Sequence, residues 1–254
     1  MEVKEQIKNS QMILVGLGEE LDHCRKIRSS KEYGKACEQI KNTAIFPYLM
    51  RYFLEKQIDG NQIIYQKIFE LLENKNYFIV SLCQDGCIWN SKLDLSRVVT
   101  PCGDYLKFQC GDGCQKDLYP VKELYPELKT EMEALLRGEL AENELNLPVC
   151  PKCGTSMVFN HVDEAHYVEE GYLSQWSLYM KWLQGTLNHE LCVLELGVGM
   201  KYPTVIRWPF EKTTFINNKA YMYRVHSSLY QITEEIAGKA EGIHQNPVEF
   251  LMNV

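Results

Sequence analysis

Two closely spaced cysteine pairs constrain this chain more than any other feature. Cys110 and Cys114 bracket three residues, Cys150 and Cys153 bracket two, and residues 115–149 lie between the pairs. The second pair sits in the turn Cys150-Pro151-Lys152-Cys153-Gly154. Thiolates held on two tight turns converge on one tetrahedral ion, and four thiolates with no open position make a structural zinc site rather than a catalytic one. Such a site staples a small module whose core is too thin to hold alone. The other six of the ten cysteines (Cys24, Cys37, Cys83, Cys87, Cys102, Cys192) are scattered. The opening residues MEVKEQIKNS carry no apolar stretch, so no signal peptide is expected. Paired cysteines then read as metal ligands in a reducing, cytoplasmic setting before they read as disulfides.

Around this ribbon the sequence alternates strand and helix. QMILVG (11–16), YFIVSL (77–82), LCVLEL (191–196) and AYMYRV (220–225) read as buried strands. Helical patterns fall at 32–57, 61–74, 231–240 and 246–253. Another carries the stripe Tyr172, Trp176, Tyr179, Leu183. Strand, glycine turn and helix in repetition predict an α/β fold, a Rossmann-like parallel sheet with a small zinc-ribbon unit. The expected large unit is 1–102 with 160–254, and the expected small unit is 103–159. An acidic amphipathic helix is expected near 121–140. Residues 115–149 hold four basic residues against eight carboxylates, a pattern that usually marks a solvated face. The whole chain carries 27 basic and 34 acidic residues, net −7, the wrong balance for wrapping nucleic acid. No apolar run is long enough to span a membrane. The expected partner is another protein.

Two strands end in glycine turns, Gly16-Leu17-Gly18 and Gly197-Val198-Gly199. Glycine at the end of a parallel strand lets backbone N–H groups approach a diphosphate, although the same turn also serves simply to start a helix. Glu19 and Glu20 follow the first turn directly, where their charge would repel such a ligand.

The combination resembles the sirtuins. Gly103-Asp104-Tyr105-Leu106-Lys107-Phe108-Gln109-Cys110 followed by Cys114 is similar to the class M, macrodomain-linked microbial branch. So are Met157-Val158-Phe159-Asn160 and Leu194-Glu195-Leu196-Gly197-Val198-Gly199, with Pro203, Ile206 and Pro209-Phe210. The resemblance implies NAD⁺ in a cleft between the two units, and transfer of ADP-ribose to, or removal of an acyl group from, a protein side chain. It assigns cofactor contacts to Gly16, Leu17, Gly18, Glu20, Gln84, Asp85, Gly197, Val198, Gly199, Asn217 and Asn218, and catalytic positions to Asp85 and Cys102.

The match also departs from the family pattern. Glu20 replaces the phosphate-facing serine, Cys83 replaces the asparagine of the segment Ser81-Leu82-Cys83-Gln84-Asp85, and Cys102 stands where deacylases carry their histidine. Cys102 could serve as a base only as a thiolate with a lowered pKa. Two other readings follow: a non-catalytic binding module on the same fold, or a redox pair of Cys83 and Cys102. Against that pair stands the ordinary role of free cysteine as a small buried hydrophobe. His161 and His166 read as surface or structural residues.

Overall fold

A computed structural model describes residues 3–57 and 62–254. Its elements are, in chain order, α1 (Val3–Asn9), β1 (Met12–Leu17), α2 (His23–Arg28), α3 (Lys31–Gln39), α4 (Phe46–Gln57), α5 (Gln62–Leu72), β2 (Asn76–Ser81), β3 (Val98–Val99) and β4 (Gly103–Cys110). There follow β5 (Tyr119–Pro120), α6 (Val121–Leu124), α7 (Leu128–Leu136), β6 (Met157–His161), α8 (Glu170–Gln184), β7 (Leu191–Leu196), α9 (Arg207–Ile216), β8 (Ala220–His226), β9 (Ala240–His244) and α10 (Pro247–Asn253).

Six strands form one parallel sheet in the order β3-β2-β1-β7-β8-β9. Every residue of β1 and β7 is buried, because helices cover both faces and the strands need apolar side chains on each. Ile13, Val15 and Leu17 point into a core shared with α5 and α10. Met12 and Leu14 point into the opposite core, with Tyr179 of α8 and Phe210 of α9.

The smaller sheet, β5-β4-β6, is antiparallel. Its core is aromatic, with Tyr48 lying 5.2 Å from Phe159 and Phe108 4.7 Å from Phe159, ring centre to ring centre. Residues of α2, α3 and α4 belong to this core, including Ile27, Ala36 and Leu49. Those helices fall within the expected large unit, 1–102, yet pack on the small sheet. Their apolar stripes are buried there, and the six-stranded sheet is already covered by α5, α8, α9 and α10.

Several expected elements differ for local reasons. The helix expected over 32–57 divides into α3 and α4: Asn42 accepts from the Ala44 N–H and starts a new turn, and Pro47 is tolerated only in a first helical turn. The acidic helix divides into α6 and α7 before Pro126. The expected helix at 61–74 is α5, and residue 61 lies outside the described residues. Over 231–240 the chain forms a short 3₁₀ turn, Glu234–Lys239, followed by the strand β9. AEGIH has little strand propensity of its own, and pairing with β8 supplies it.

Inside the large sheet Arg224 donates to both oxygens of Glu195, at 2.6 and 3.1 Å, and bonds Glu211 at 2.8 Å. Among the described residues no helix is long and apolar enough to cross a membrane.

Candidate functional site

The four paired cysteines meet. Their sulfurs all lie within 4.8 Å of one another, with Cys110 Sγ 3.5 Å from Cys153 Sγ and Cys114 Sγ 3.6 Å from Cys150 Sγ. Metal–thiolate bonds of about 2.3 Å in a tetrahedron place sulfurs about 3.8 Å apart, so the donor set fits a metal ion of zinc's kind. Local backbone makes the turns: the Gly113 N–H donates to the Cys110 carbonyl, and the Gly154 N–H to that of Cys150. β4 brings in the first pair, and the bridge between Val149 and Ser156 brings the second against it.

The second site lies at the carboxyl ends of β1, β7 and β8, where the strand order reverses from β1 to its two neighbours. Such switch points leave the crevice in which open α/β sheets bind ligands. Here the loops after β1 and β7 touch directly. The Gly18 N–H donates to the Leu196 carbonyl at 2.8 Å, and a Cβ on Gly18 would fall 2.2 Å from the Gly197 oxygen. Gly197 itself has φ +65°, and its backbone faces Glu20. Across this contact the Glu19 carboxylate accepts from the Gly199 N–H at 2.7 Å. The Glu20 carboxylate accepts from the Ser227 N–H at 3.0 Å, beyond the end of β8. His226 Nδ1, 3.6 Å from Glu20, accepts from the N–H groups of Ser228 and Leu229 and so carries its proton on Nε2 when neutral.

Beneath these loops two aspartates exchange partners. Asp22 accepts from the N–H groups of Cys24 and Gln84, and Asp85 accepts from those of His23 and Cys87. Each carboxylate thus ties the loop after β1 to the loop after β2. Burial, and then the nearby Asp22 charge, raise the Asp85 pKa to about 7; burial also raises that of Asp22. Gln84 extends the tie to the small unit: its carbonyl accepts from the Tyr105 N–H, and its side chain reaches Asp163 at 3.3 Å.

Asp163, just beyond β6, also accepts from Lys201 at 2.8 Å and from the Tyr202 hydroxyl at 2.6 Å. Burial works against its charge, but these hydrogen bonds hold its pKa near 2. Beside it His161 is buried, with no hydrogen-bond partner on either ring nitrogen and its ring 5.0 Å from Tyr105. Burial lowers its pKa to about 4, so it is a neutral imidazole at pH 7. Of the two roles expected for His161, surface or structural, its burial favours the structural one.

Most of the other expected site residues are buried. Cys102 is buried, and burial followed by the Glu19 charge pushes its pKa up to about 12, so it is a thiol and not a thiolate base. Cys83 donates weakly to the Gly18 carbonyl and packs in the core on the α5 side, whereas Cys102 packs on the α8 side. The two belong to opposite faces of the sheet and do not form a redox pair. Gly16 leaves room for Ile206 and Phe210 of its own chain. Leu17 and Val198 are fully buried core side chains. Asn217 and Asn218 precede β8 and so lie at its amino end, away from the crevice. Asn217 is buried, donating to the Thr186 and His189 carbonyls, and Asn218 is exposed.

Residue-by-residue reading missed the chain's own partners at the crevice: Asp22, Asp163, Lys201, Ser227 and Arg207. Arg207 is buried and donates to the carbonyls of Val198 and Leu229, holding the loops after β7 and β8. A cue existed for Asp22, which immediately precedes a helical pattern, and for His226-Ser227-Ser228, polar residues directly after a strand.

Taken in sequence order, the strands of the large sheet run 3-2-1-4-5-6, the arrangement that defines dinucleotide-binding α/β proteins. Solved structures narrow the class to the Sir2 sirtuin fold. This chain superposes on Sir2Tm bound to a propionylated peptide with a TM-score of 0.57 and 14% identity, covering 100% of this chain and 97% of that one. It superposes on Sir2 in complex with the inhibitor EX-527, 2'-O-acetyl-ADP-ribose and deacetylated p53 peptide with a TM-score of 0.52 and 13% identity, covering 98% and 95%. In sequence it is 25% identical over 175 residues to a protein ADP-ribosyltransferase of Staphylococcus aureus strain Mu50, 68% of this chain and 54% of that one. It is 26% identical over 160 residues to a probable bifunctional ADP-ribose hydrolase/ADP-ribosyltransferase of Fusarium oxysporum f. sp. cubense, 60% of this chain and 26% of that one. The chain thus spans about half or less of the length of these curated relatives. No protein-family model matches it. The chain thus has a Sir2-like fold and is similar in sequence to ADP-ribosyltransferases.

Proposed function

We propose that the protein acts in NAD⁺-dependent transfer of ADP-ribose to a protein side chain, on a fold stapled by one structural zinc ion. The observation that supports this most is the similarity to two ADP-ribosyltransferases in a fold whose switch-point crevice presents backbone N–H donors to anions. The Gly199 and Ser227 N–H groups suit the oxygens of a diphosphate or ribose, since each already binds an anionic oxygen. When bound, NAD⁺ supplies a ribosyl carbon activated by its nicotinamide leaving group. The chain's own part is positional: Asp85 holds the loops after β1 and β2 together, Arg207 holds those after β7 and β8, and the Asp163 cluster joins the small unit to the crevice. Deacylation is the less favoured chemistry, because Cys102 stays a protonated thiol. The acceptor is proposed to be a protein, in line with the peptides bound to the similar solved structures. Four reduced thiolates on zinc suit the cytoplasm.

The test is nicotinamide release from NAD⁺ in the presence of candidate protein acceptors. Release in the wild type and its loss in Asp85→Ala support the reading. One specific observation favours a second reading, a binding module without NAD⁺ chemistry: Glu19 and Glu20 already occupy the N–H groups a diphosphate would use. That reading expects no release with any acceptor.

A further inference from the structure

The loop after β1 carries two consecutive glutamates, and each reaches a different strand end. Glu19 takes the Gly199 N–H beyond β7, and Glu20 takes the Ser227 N–H beyond β8. A free N–H at the carboxyl end of a parallel strand is the group an anionic ligand would bind, and here the chain supplies both anions itself. The fit of Glu19 is incomplete. Its Oε2 is bonded, but its Oε1 is buried with no hydrogen-bond partner. A buried acceptor without a donor is unfavourable, so this carboxylate is held against a desolvation penalty. Both residues are partly buried in the loop after β1, and the Glu20 side chain is only 8% exposed, so an anion that takes the Ser227 seat must draw that carboxylate out of a buried position. Arg207 fixes the two receiving loops from behind, through the Val198 and Leu229 carbonyls, so the seats keep their shape when the carboxylates leave.

We propose that Glu19 and Glu20 are specificity-determining residues that compete from within for the anion seats of the crevice. Resting on the nucleotide reading above, this sets the rule for entry. A nucleoside diphosphate ligand must displace both carboxylates and drive them out of the crevice, and a ligand too weak to do so is rejected. Like charges forced together there repel, so displacement and repulsion both oppose binding.

The experiment is calorimetric titration of the metal-loaded full chain with ADP-ribose, comparing wild type with Glu19→Ala/Glu20→Ala. Hydrogen exchange at the Gly199 and Ser227 amides is followed in parallel. The expected result is faster exchange at both amides in the variant and ADP-ribose affinity higher by about tenfold or more. Glu19→Gln/Glu20→Gln keeps the shape and removes the charge, so it falls between the two and guards against a misfolded alanine variant. If wild type and variant bind ADP-ribose equally well, the proposal is overturned while the nucleotide reading stands. Unchanged exchange at the two amides also overturns it, since the seats were then never held. If the amides open but neither protein binds, the crevice is no nucleotide site and both ideas fall.

Discussion

The two ligand-type sites of this molecule are built on opposite principles. At the cysteine cluster four sulfurs from two turns converge within 4.8 Å of one another, a donor set that could hold a metal ion. At the crevice the donors are equally well placed, but the chain answers them with its own Glu19, Glu20, Asp22 and Asp85. A site left open in this way gains stability from its ligand, and a site filled by the chain must give up interactions to bind one. On the proposed reading the first is a staple and the second a filter.

The largest expected effect separates the staple from the filter. Replacing the buried Cys150 by serine should lower bound metal from about one ion per chain to about none, with loss of cooperative melting in the small unit. Metal analysis and a thermal scan check it, and a chain that melts unchanged without metal would remove the contrast. Within the large unit, Arg224→Met removes both hydrogen bonds of the buried Glu195, leaving Arg207 at 3.5 Å as its remaining cation, and should lower stability by up to about 3–5 kcal/mol in denaturant unfolding.

Gly18→Ala pushes a methyl group into the Gly197 backbone and should destabilise by about 1–3 kcal/mol, prising apart the very loops that close the crevice. A stable alanine variant would mean that the loops after β1 and β7 are not in contact. The pH dependence of the clasp is subtler. Asp85 has its pKa raised from 3.8 to about 7, so the folded state holds that proton more tightly than the unfolded chain. Its contribution to stability is full below about pH 4 and is lost as pH rises through about 7, at up to about 1.4 kcal/mol per pH unit. Asp85→Asn should flatten that slope in urea titrations across the same window. A slope equal to wild type would show that Asp22 or another group carries it. The smallest effect concerns Cys102, whose thiol should alkylate far more slowly than an exposed cysteine at pH 8, as timed mass spectrometry would show.

These contrasts also show where sequence was informative. The cysteine spacing, the four apolar strand runs and the glycine turns were legible because each is local: a turn, a period or a pair of neighbours specifies them. β3 and β9 were not, because a two-residue strand and AEGIH take their state from the strands beside them. The settings of Cys102 and His161 were not legible for one shared reason. Their chemistry depends on burial, and burial is set by segments far away in the chain.

By itself the sequence determined the pairing of the four cysteines, the alternation of strand and helix, and the α/β class, all of which follow from short-range geometry and hydrophobic period. Only the tertiary structure decided that Asn217 lies at the wrong end of a strand, and that helices from the first quarter of the chain serve the small unit's core. It alone showed that Glu19 and Glu20 reach residues 180 and 207 positions away to fill a crevice the family resemblance would have left open. The reason is that hydrogen bonds between distant loops are fixed by strand order and register, which a linear pattern of side chains does not encode.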